Sequence, residues 1–498
     1  MKRKISKLLL VFTLFLLLLI PCLVFAETDN EETYAAIQWF DKGYDYTVNK
    51  EDYENAISAF TKAIKLNPKY ANAYYNRGIV YYNKGQLDLA INDYTKAIKL
   101  NLQDANAYYN RGNIYYSKGQ LNLAINDYTK ATKLNSQYVN AYNNRGSAYY
   151  RKGRLDLAIN NYNKVIELDP NNADAYNNRG SIYYRAGQLD LAVDDYTKAI
   201  KLNSQYANAY NNRGRTYKKK GQLDLAINDY NKAIELNPKE ADAYNNRGTI
   251  YADKDQLDLA INDYNKTIKL DPKNADAYAN RGIAYKKKGQ LDLAINDYNK
   301  AIELNPEEAD AYNNRGTIYA DKDQLDLAIN DYNKTIKLDP QNADAYNNRG
   351  NAYKKKEQLK LAINDYTKAI KLNPKNADVY NNRGITYKKK GQLDLAVHDY
   401  SKAIELNPYY ADIYYNRGIA YMKKGQLDMA IGDYNKAIEL NPQYADAYYN
   451  KGLSCRKSGF KQEAIEAFRM FIKYVPNIYE QQIEQAKQYI QELKTPNE

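Results

Sequence analysis

The stretch Ala241–Asn274 reads ADAYNNRGTIYADKDQLDLAINDYNKTIKLDPKN, and it returns at Ala309–Asn342 with one change, Gln341 for Lys273. Related 34-residue copies tile the chain without a gap from Ala71 to Ile478, twelve in a row. A fixed period of this length decides the architecture before any local signal does. Counting Ala241 as position 1, apolar or small residues fall at positions 3, 4, 8 and 11 (Ala243, Tyr244, Gly248, Tyr251). They recur at 17, 20, 21, 24, 27 and 28 (Leu257, Ala260, Ile261, Tyr264, Thr267, Ile268). Both sets are spaced by threes and fours, so each predicts one face of an α-helix. Between them most copies carry a Gly (Gly85, Gly221, Gly289) suited to the left-handed residue after a helix. Asn305-Pro306 and its equivalents end the second helix, because proline disfavours helical geometry in the residue before it. Small residues at 8 and 20 predict a close approach of the two helices. A hairpin this short cannot bury its own apolar face, and stacking on neighbours can.

The pattern Tyr at 4, Gly at 8, Tyr at 11, Ala at 20, Tyr at 24, Ala at 27 and Pro at 32 resembles the tetratricopeptide repeat (TPR), in its bacterial N-R-G-x-x-Y form. The resemblance implies an all-α fold, a right-handed superhelical α-solenoid of tandem helix-turn-helix repeats whose first helices line a concave groove. It also implies protein or peptide partners. Position 7 departs from the family, where Leu is common: it is Arg in eleven copies and Lys451 in the last. Position 23 is Asp in ten of the twelve, so an Arg–Asp pair across each hairpin is expected, as between Arg247 and Asp263.

Outside the array, residues 1–26 have a basic start, an apolar run Leu8–Ile20 and a small-residue site ending at Ala26, the layout of a secretory signal peptide. Export to the periplasm, surface or medium is expected. An uncleaved anchor is the alternative, because Leu8–Ala26 is only marginally shorter than a membrane span. A lipoprotein site at Cys22 is disfavoured by Pro21. Residues 27–35 are a linker, 36–70 a divergent first repeat carrying the single tryptophan, Trp39, and 479–498 a capping helix with Ile483, Ala486, Ile490 and Leu493 on one stripe. The repeats 207–274 and 275–342 differ at six of 68 positions, the mark of a duplicated two-repeat block. An array that lengthens by duplication favours a long, uniform surface over one built pocket.

Without residues 1–26 the chain carries 68 basic and 60 acidic residues, a net of +8 that does not by itself call for a polyanionic partner. One cysteine, Cys455, is left, which excludes an intramolecular disulfide. The one histidine, His398, stands on the polar side of a second helix with no triad partner near it. The residues show no metal-ligand spacing and no phosphate-binding loop, so neither an enzyme nor a cofactor is expected.

The informative face is positions 2, 5, 6, 9, 12 and 13 of the first helix, one stripe turned away from the packing side. Position 6 is Asn throughout: Asn76, Asn110, Asn144, Asn178, Asn212, Asn246, Asn280, Asn314, Asn348, Asn382, Asn416 and Asn450. An amide offers one acceptor and two donors, so this ladder either grips the backbone of an extended peptide or ties each repeat to its neighbour. Position 12 is Tyr early (Tyr82, Tyr116, Tyr150, Tyr184) and often Lys later (Lys218, Lys286, Lys354, Lys388). The expected ligand face is therefore aromatic first and basic afterwards, with Asp at position 2 along one edge from Asp242 to Asp446. Lysines at position 14 read as ordinary solvated helix ends. Three functions compete on these residues: a scaffold for peptide or protein segments, a glycan or cell-wall polysaccharide module using the tyrosines, and a nucleic-acid binder, which the export signal and the acidic edge disfavour.

Overall fold

A computed structural model describes residues 31–49, 51–101, 103–476 and 478–495. The leader 1–26 and the first part of the linker lie outside them. Among the described residues every regular element is helical, and no helix is long and apolar enough to cross a membrane. The first hairpin is α1 (31–48) and α2 (Tyr53–Leu66). The end of the linker is thus already helical from residue 31, where Glu31 and Glu32 complement the positive end of the helix dipole. Twelve hairpins follow, from α3 (Ala71–Asn83) with α4 (Leu87–Leu100) to α25 (Ala445–Lys457) with α26 (Lys461–Tyr474), and α27 (Glu480–Lys494) closes the chain. Odd numbers are first helices and even numbers second helices.

Each boundary has a local cause. In the hairpin Ala275–Lys287 and Leu291–Leu304, the N–H of Gly289 donates to the Lys286 carbonyl at 3.0 Å and that of Gln290 to the Tyr285 carbonyl at 2.9 Å. This pair of bonds is a Schellman motif and needs a positive φ at its centre, which Gly289 adopts at 74°. At the far end Asn305 is extended before Pro306, and its side chain accepts the Glu307 N–H at 3.2 Å, closing an Asx turn. The next first helix often starts under an Asn cap, as where Asn342 accepts from the Ala345 N–H at 2.9 Å.

The chain divides into two compact units, residues 1–243 and 244–498. Within each, a first helix packs on its own second helix, that second helix on the next first helix, and successive first helices touch, as α5 (Ala105–Ser117) does α7 (Val139–Arg151) and α15 (Ala275–Lys287) does α17 (Ala309–Asp321). The buried positions of a repeat are 3, 8, 10, 20, 23, 24 and 27: Ala277, Gly282, Ala284, Ala294, Asp297, Tyr298 and Ala301. Position 10 was not expected in the core, and most tyrosines at 4 and 11 are only half-buried, Tyr108, Tyr380 and Tyr414 being the buried ones. The close approach at positions 8 and 20 is real: a Cβ on Gly282 would lie 2.9 Å from the Tyr298 ring.

The tyrosines at 4 and 11 serve the arginine between them. Arg281 lies 5.6 and 5.7 Å from the ring centroids of Tyr278 and Tyr285. Its Nε and Nη2 donate to the two carboxylate oxygens of Asp297 at 2.8 and 2.7 Å, a bidentate pair, and its Nη1 reaches Asn265 of the preceding repeat at 2.5 Å. Every Arg–Asp combination at positions 7 and 23 makes this pair, from Arg77–Asp93 to Arg417–Asp433. Arg145 has Asn161 instead, at 2.7 Å, with Thr132 at 2.8 Å. There burial holds the guanidinium below its ordinary pKa, whereas the hydrogen bond that Arg281 donates to Asp297 raises its own.

At the C-terminal end Ile483, Ala486, Ile490 and Leu493 cover Phe468, Phe471 and Cys455, which is the cap expected of α27. Trp39 is no core anchor: it is half-buried, with the amines of Lys42 and Lys62 at 4.5 and 4.1 Å from its ring, while Phe60 fills the core against Gly43. The lysines at position 14 are not merely solvated helix ends. Lys118, Lys220, Lys288, Lys322, Lys356 and Lys424 each pair with the position-18 Asp of the preceding repeat.

Candidate functional site: the first-helix face

The stripe at positions 2, 5, 6, 9, 12 and 13 faces away from the second helix, and much of its bonding runs between repeats. In eight copies the position-6 amide donates to position 5 of the preceding repeat. Asn110, Asn144 and Asn450 reach the hydroxyls of Tyr75, Tyr109 and Tyr415 at 3.0, 3.1 and 3.0 Å. Asn212, Asn280, Asn348, Asn382 and Asn416 reach the Oδ1 of Asn177, Asn245, Asn313, Asn347 and Asn381 at 3.0 to 3.5 Å. Asn76 turns back to the carbonyl of Asn72 at 2.9 Å, and Asn314 faces Ala279, which has no side-chain acceptor. Position 6 stays constant while position 5 varies because Tyr and Asn both accept.

The later position-12 lysines join this network. The amines of Lys354 and Lys388 donate to the Oδ1 of Asn382 and Asn416 in the following repeat at 3.2 and 3.1 Å, and Lys286 donates to Thr317. Burial lowers the pKa of all three, and for Lys388, with the charge of Lys423 added, to about 8. Lys218 is likewise engaged. Asn382 and Asn416 therefore use the acceptor and one donor of their amides inside the stack, which leaves one N–H each for any other partner.

The early position-12 tyrosines are held differently. The guanidinium of Arg151 lies 4.9 Å from the centre of the Tyr116 ring, Arg185 5.3 Å from Tyr150, and Arg215 5.2 Å from Tyr184, where Lys219 also stands at 5.0 Å. These are cation–π contacts between one repeat and the next. Tyr82 has no such cover and is 47% exposed. Beneath the stripe the position-24 hydroxyls come up against position 9: Tyr128 donates to Asn113 at 2.9 Å and Tyr366 to Asn351 at 2.8 Å. Where position 9 is Arg215, Ile283 or Ile385, the hydroxyls of Tyr230, Tyr298 and Tyr400 are buried without a partner.

Clefts open on this face between successive first helices. One of about 180 Å³ is lined by Ile79, Tyr82, Tyr94, Asn110 and Asn113. Another of about 290 Å³ includes Thr317, Asp321, Tyr332, Asn348, Asn351 and Lys354 and exists because position 12 is Ala320. His398 is exposed on its second helix, and Cys455 is buried, with desolvation pushing its thiol pKa up. Among the described residues no three His, Cys, Asp or Glu side chains are grouped to hold a metal ion. Sequence reasoning missed the bonds at positions 5, 13 and 14. A signal was present at 13, where a basic residue stands in many copies: Arg151, Lys287 and Lys355 reach back to the last carbonyls of the preceding first helix.

A TPR repeat model matches residues 48–85, 80–117, 112–153, 146–187, 180–221, 214–255, 248–289, 316–357, 350–391 and 386–425. Further tetratricopeptide repeat models match residues 275–308, 411–444, 297–330 and 433–466. A search of curated proteins returns no match. Among solved structures the chain is similar to YrrB, described as a TPR protein with an unusual peptide-binding site, at 30% identity over 36% of this chain and 94% of that one, with a TM-score of 0.33. It is similar to MamA at 34% identity over 33% and 96%, with a TM-score of 0.31, and to yeast Tom70 at 20% identity over 86% and 96%, with a TM-score of 0.35. Matched by repeat models over most of its length and built throughout of stacked helical hairpins, the chain belongs to the tetratricopeptide repeat family, a fold of protein–protein interaction scaffolds.

Proposed function

We propose that this chain is an exported, non-catalytic scaffold that holds extended peptide or protein segments along its first-helix face. The observation that carries the reading is a cleft between neighbouring first helices in each unit, built both times from the same positions. Tyr82, Asn110 and Asn113 line one, and Thr317, Asn348 and Asn351 another. A segment laid in either cleft meets the Asn side chains of two positions, whose donors and acceptors suit a peptide backbone. The competing surface is on the second helices, where position 19 leaves a row of leucines about half exposed, including Leu89 at 46% and Leu123 at 45%. Export rests on residues 1–26.

The test pairs the two faces. Peptides selected from a random library on the purified chain are remeasured against Tyr82→Ser with Tyr116→Ser, and against Leu89→Ser with Leu123→Ser. The proposal expects weaker binding to the first pair and unchanged binding to the second. The reverse pattern, or a soluble glycan polymer that displaces every selected peptide, contradicts it. Mass spectrometry of the protein from a fractionated source checks export: an N-terminus at Glu27 in the exported fraction is expected, and an intact leader in the cytoplasmic fraction contradicts it.

A further inference from the structure

The first-helix face over residues 139–219, within the first compact unit, differs in charge from the rest. Its stripe holds five cations, Arg151, Arg185, Arg215, Lys218 and Lys219, and one carboxylate, Asp174. Asp174 lies beside Tyr206, whose phenol pKa is pushed up by burial and by this carboxylate. Later repeats have Asp at position 2 in every copy; here position 2 is Asn140 and Asn208 in the flanking copies. Arg185, Arg215 and Lys219 have no hydrogen bond or ion pair to an acceptor among the described residues, and Arg151 uses one donor on the Tyr116 carbonyl at 3.3 Å.

These cations are exposed but not loose. The guanidinia of Arg151 and Arg185, at position 13, and of Arg215, at position 9, each lie over a half-buried tyrosine of the preceding repeat. Ordering the side chains before binding lowers the entropy lost on binding. The N–H fork of a guanidinium matches the two oxygens of a carboxylate. The same geometry bears on what binds. Tyr116, Tyr150 and Tyr184 each have a face taken up by a cation, so they are poor platforms for stacked bases or sugar rings. Burial and neighbouring phenols act on Tyr196 and Tyr230, where the charge of Arg215 is felt directly, so the cationic row reaches the floor of the stripe.

We infer that the first-helix face of residues 139–219 takes an acidic extended segment of a partner protein, its Asp or Glu carboxylates seated on Arg151, Arg185 and Arg215. This rests on the peptide-scaffold reading above and names the chemistry of one stretch of it.

The experiment titrates the full chain by fluorescence anisotropy with a labelled peptide of alternating Glu and Gly, with Lys–Gly and Ser–Gly peptides of equal length, and with oligothymidylate of equal charge. Two variants remove the same charge from opposite faces: R151Q/R185Q/R215Q on the first helices and K164Q/K198Q/K232Q on the second. The expected result is binding of the Glu–Gly peptide alone, weakened about tenfold or more by the first variant and unchanged by the second. Should the triple variant fold poorly by circular dichroism, the single exposed change Arg185→Glu gives the same readout and the same expected loss. Equal loss in both variants, or oligothymidylate binding more tightly than the Glu–Gly peptide, overturns the inference. Absence of Glu–Gly binding while library-selected neutral peptides still bind overturns it too and leaves the scaffold reading standing; if neither binds, both fall.

Discussion

At the residue scale the repeat is organised by one ion pair. The carboxylate of Asp297 is nearly buried, at 8% side-chain exposure, and Arg281 is at 17%. A pair of this kind adds little net stability, but removing one partner strands the other and costs about 3–5 kcal/mol. Asp297→Ala is therefore expected to destabilise the chain by that order. Arg281→Leu strands the more buried of the two partners, so it costs at least as much although it restores the usual family residue. Urea denaturation checks the order. The tyrosines below the stripe make a second comparison: Tyr366 donates a hydrogen bond to Asn351 and Tyr298 none. Tyr366→Phe should cost about 1 kcal/mol, and Tyr298→Phe should be neutral or stabilising, since it removes an unsatisfied buried hydroxyl.

Lys388 gives a pH dependence. Its folded pKa of about 8 lies below the ordinary 10.5, so the folded state binds this proton less well than the unfolded chain. The resulting penalty is absent above 10.5, grows as the pH falls from 10.5 to 8 and is complete below 8. The stability of Lys388→Met relative to the parent should thus be more favourable at pH 7 than at pH 10, as measured by denaturation at the two values. The Arg–Asp pair was legible because two positions sixteen apart carry opposite charges in copy after copy. The partner of the position-6 Asn was not. Periodicity assigns a residue to a face, and only the stacking register says how near the neighbouring repeat comes.

At the scale of the element, the helix ends were readable because their chemistry is local. The Gly turn and the Asn-Pro stop sit where the sequence puts them. Three copies break the Gly rule: Asp255, Asp323 and Glu357 take the turn at φ of 59, 58 and 56°. A side chain in that conformation costs about 1 kcal/mol, which glycine avoids. Asp323→Gly should raise the stability of the second unit by about that much, seen as a higher denaturation midpoint with an unchanged slope. The ion pair between positions 14 and 18 was hidden for a different reason. Lys288 and Asp258 are thirty residues apart and meet only when one hairpin is laid on the next.

At the scale of the molecule, the array and its C-terminal cap follow from the period and from one amphipathic helix, and both were legible before any coordinates. The N-terminal end differs. On α1 the side chains of Tyr34, Ile37, Tyr44 and Val48 remain exposed at 65, 43, 51 and 55%. The identity of a ligand was not legible, because the positions that vary along the face, 12 and 13, spend much of their chemistry on neighbouring repeats. Lys388 is tied to Asn416 and Arg151 to Tyr116. What is left to face a partner is the one N–H on each of Asn382 and Asn416, the open ring of Tyr82 and the row of stacked guanidinia. If the first helices, and not the second, carry the ligand, a bound peptide must touch residues of the first helices alone. A library-selected peptide bearing a photoreactive group at each position in turn decides this, with the cross-linked residues identified by mass spectrometry. Attachment is expected at positions 2, 9, 12 and 13 of successive first helices, advancing by one repeat as the group moves along the peptide. Attachment to the position-19 leucines of the second helices, or to one repeat whatever the place of the group, contradicts it.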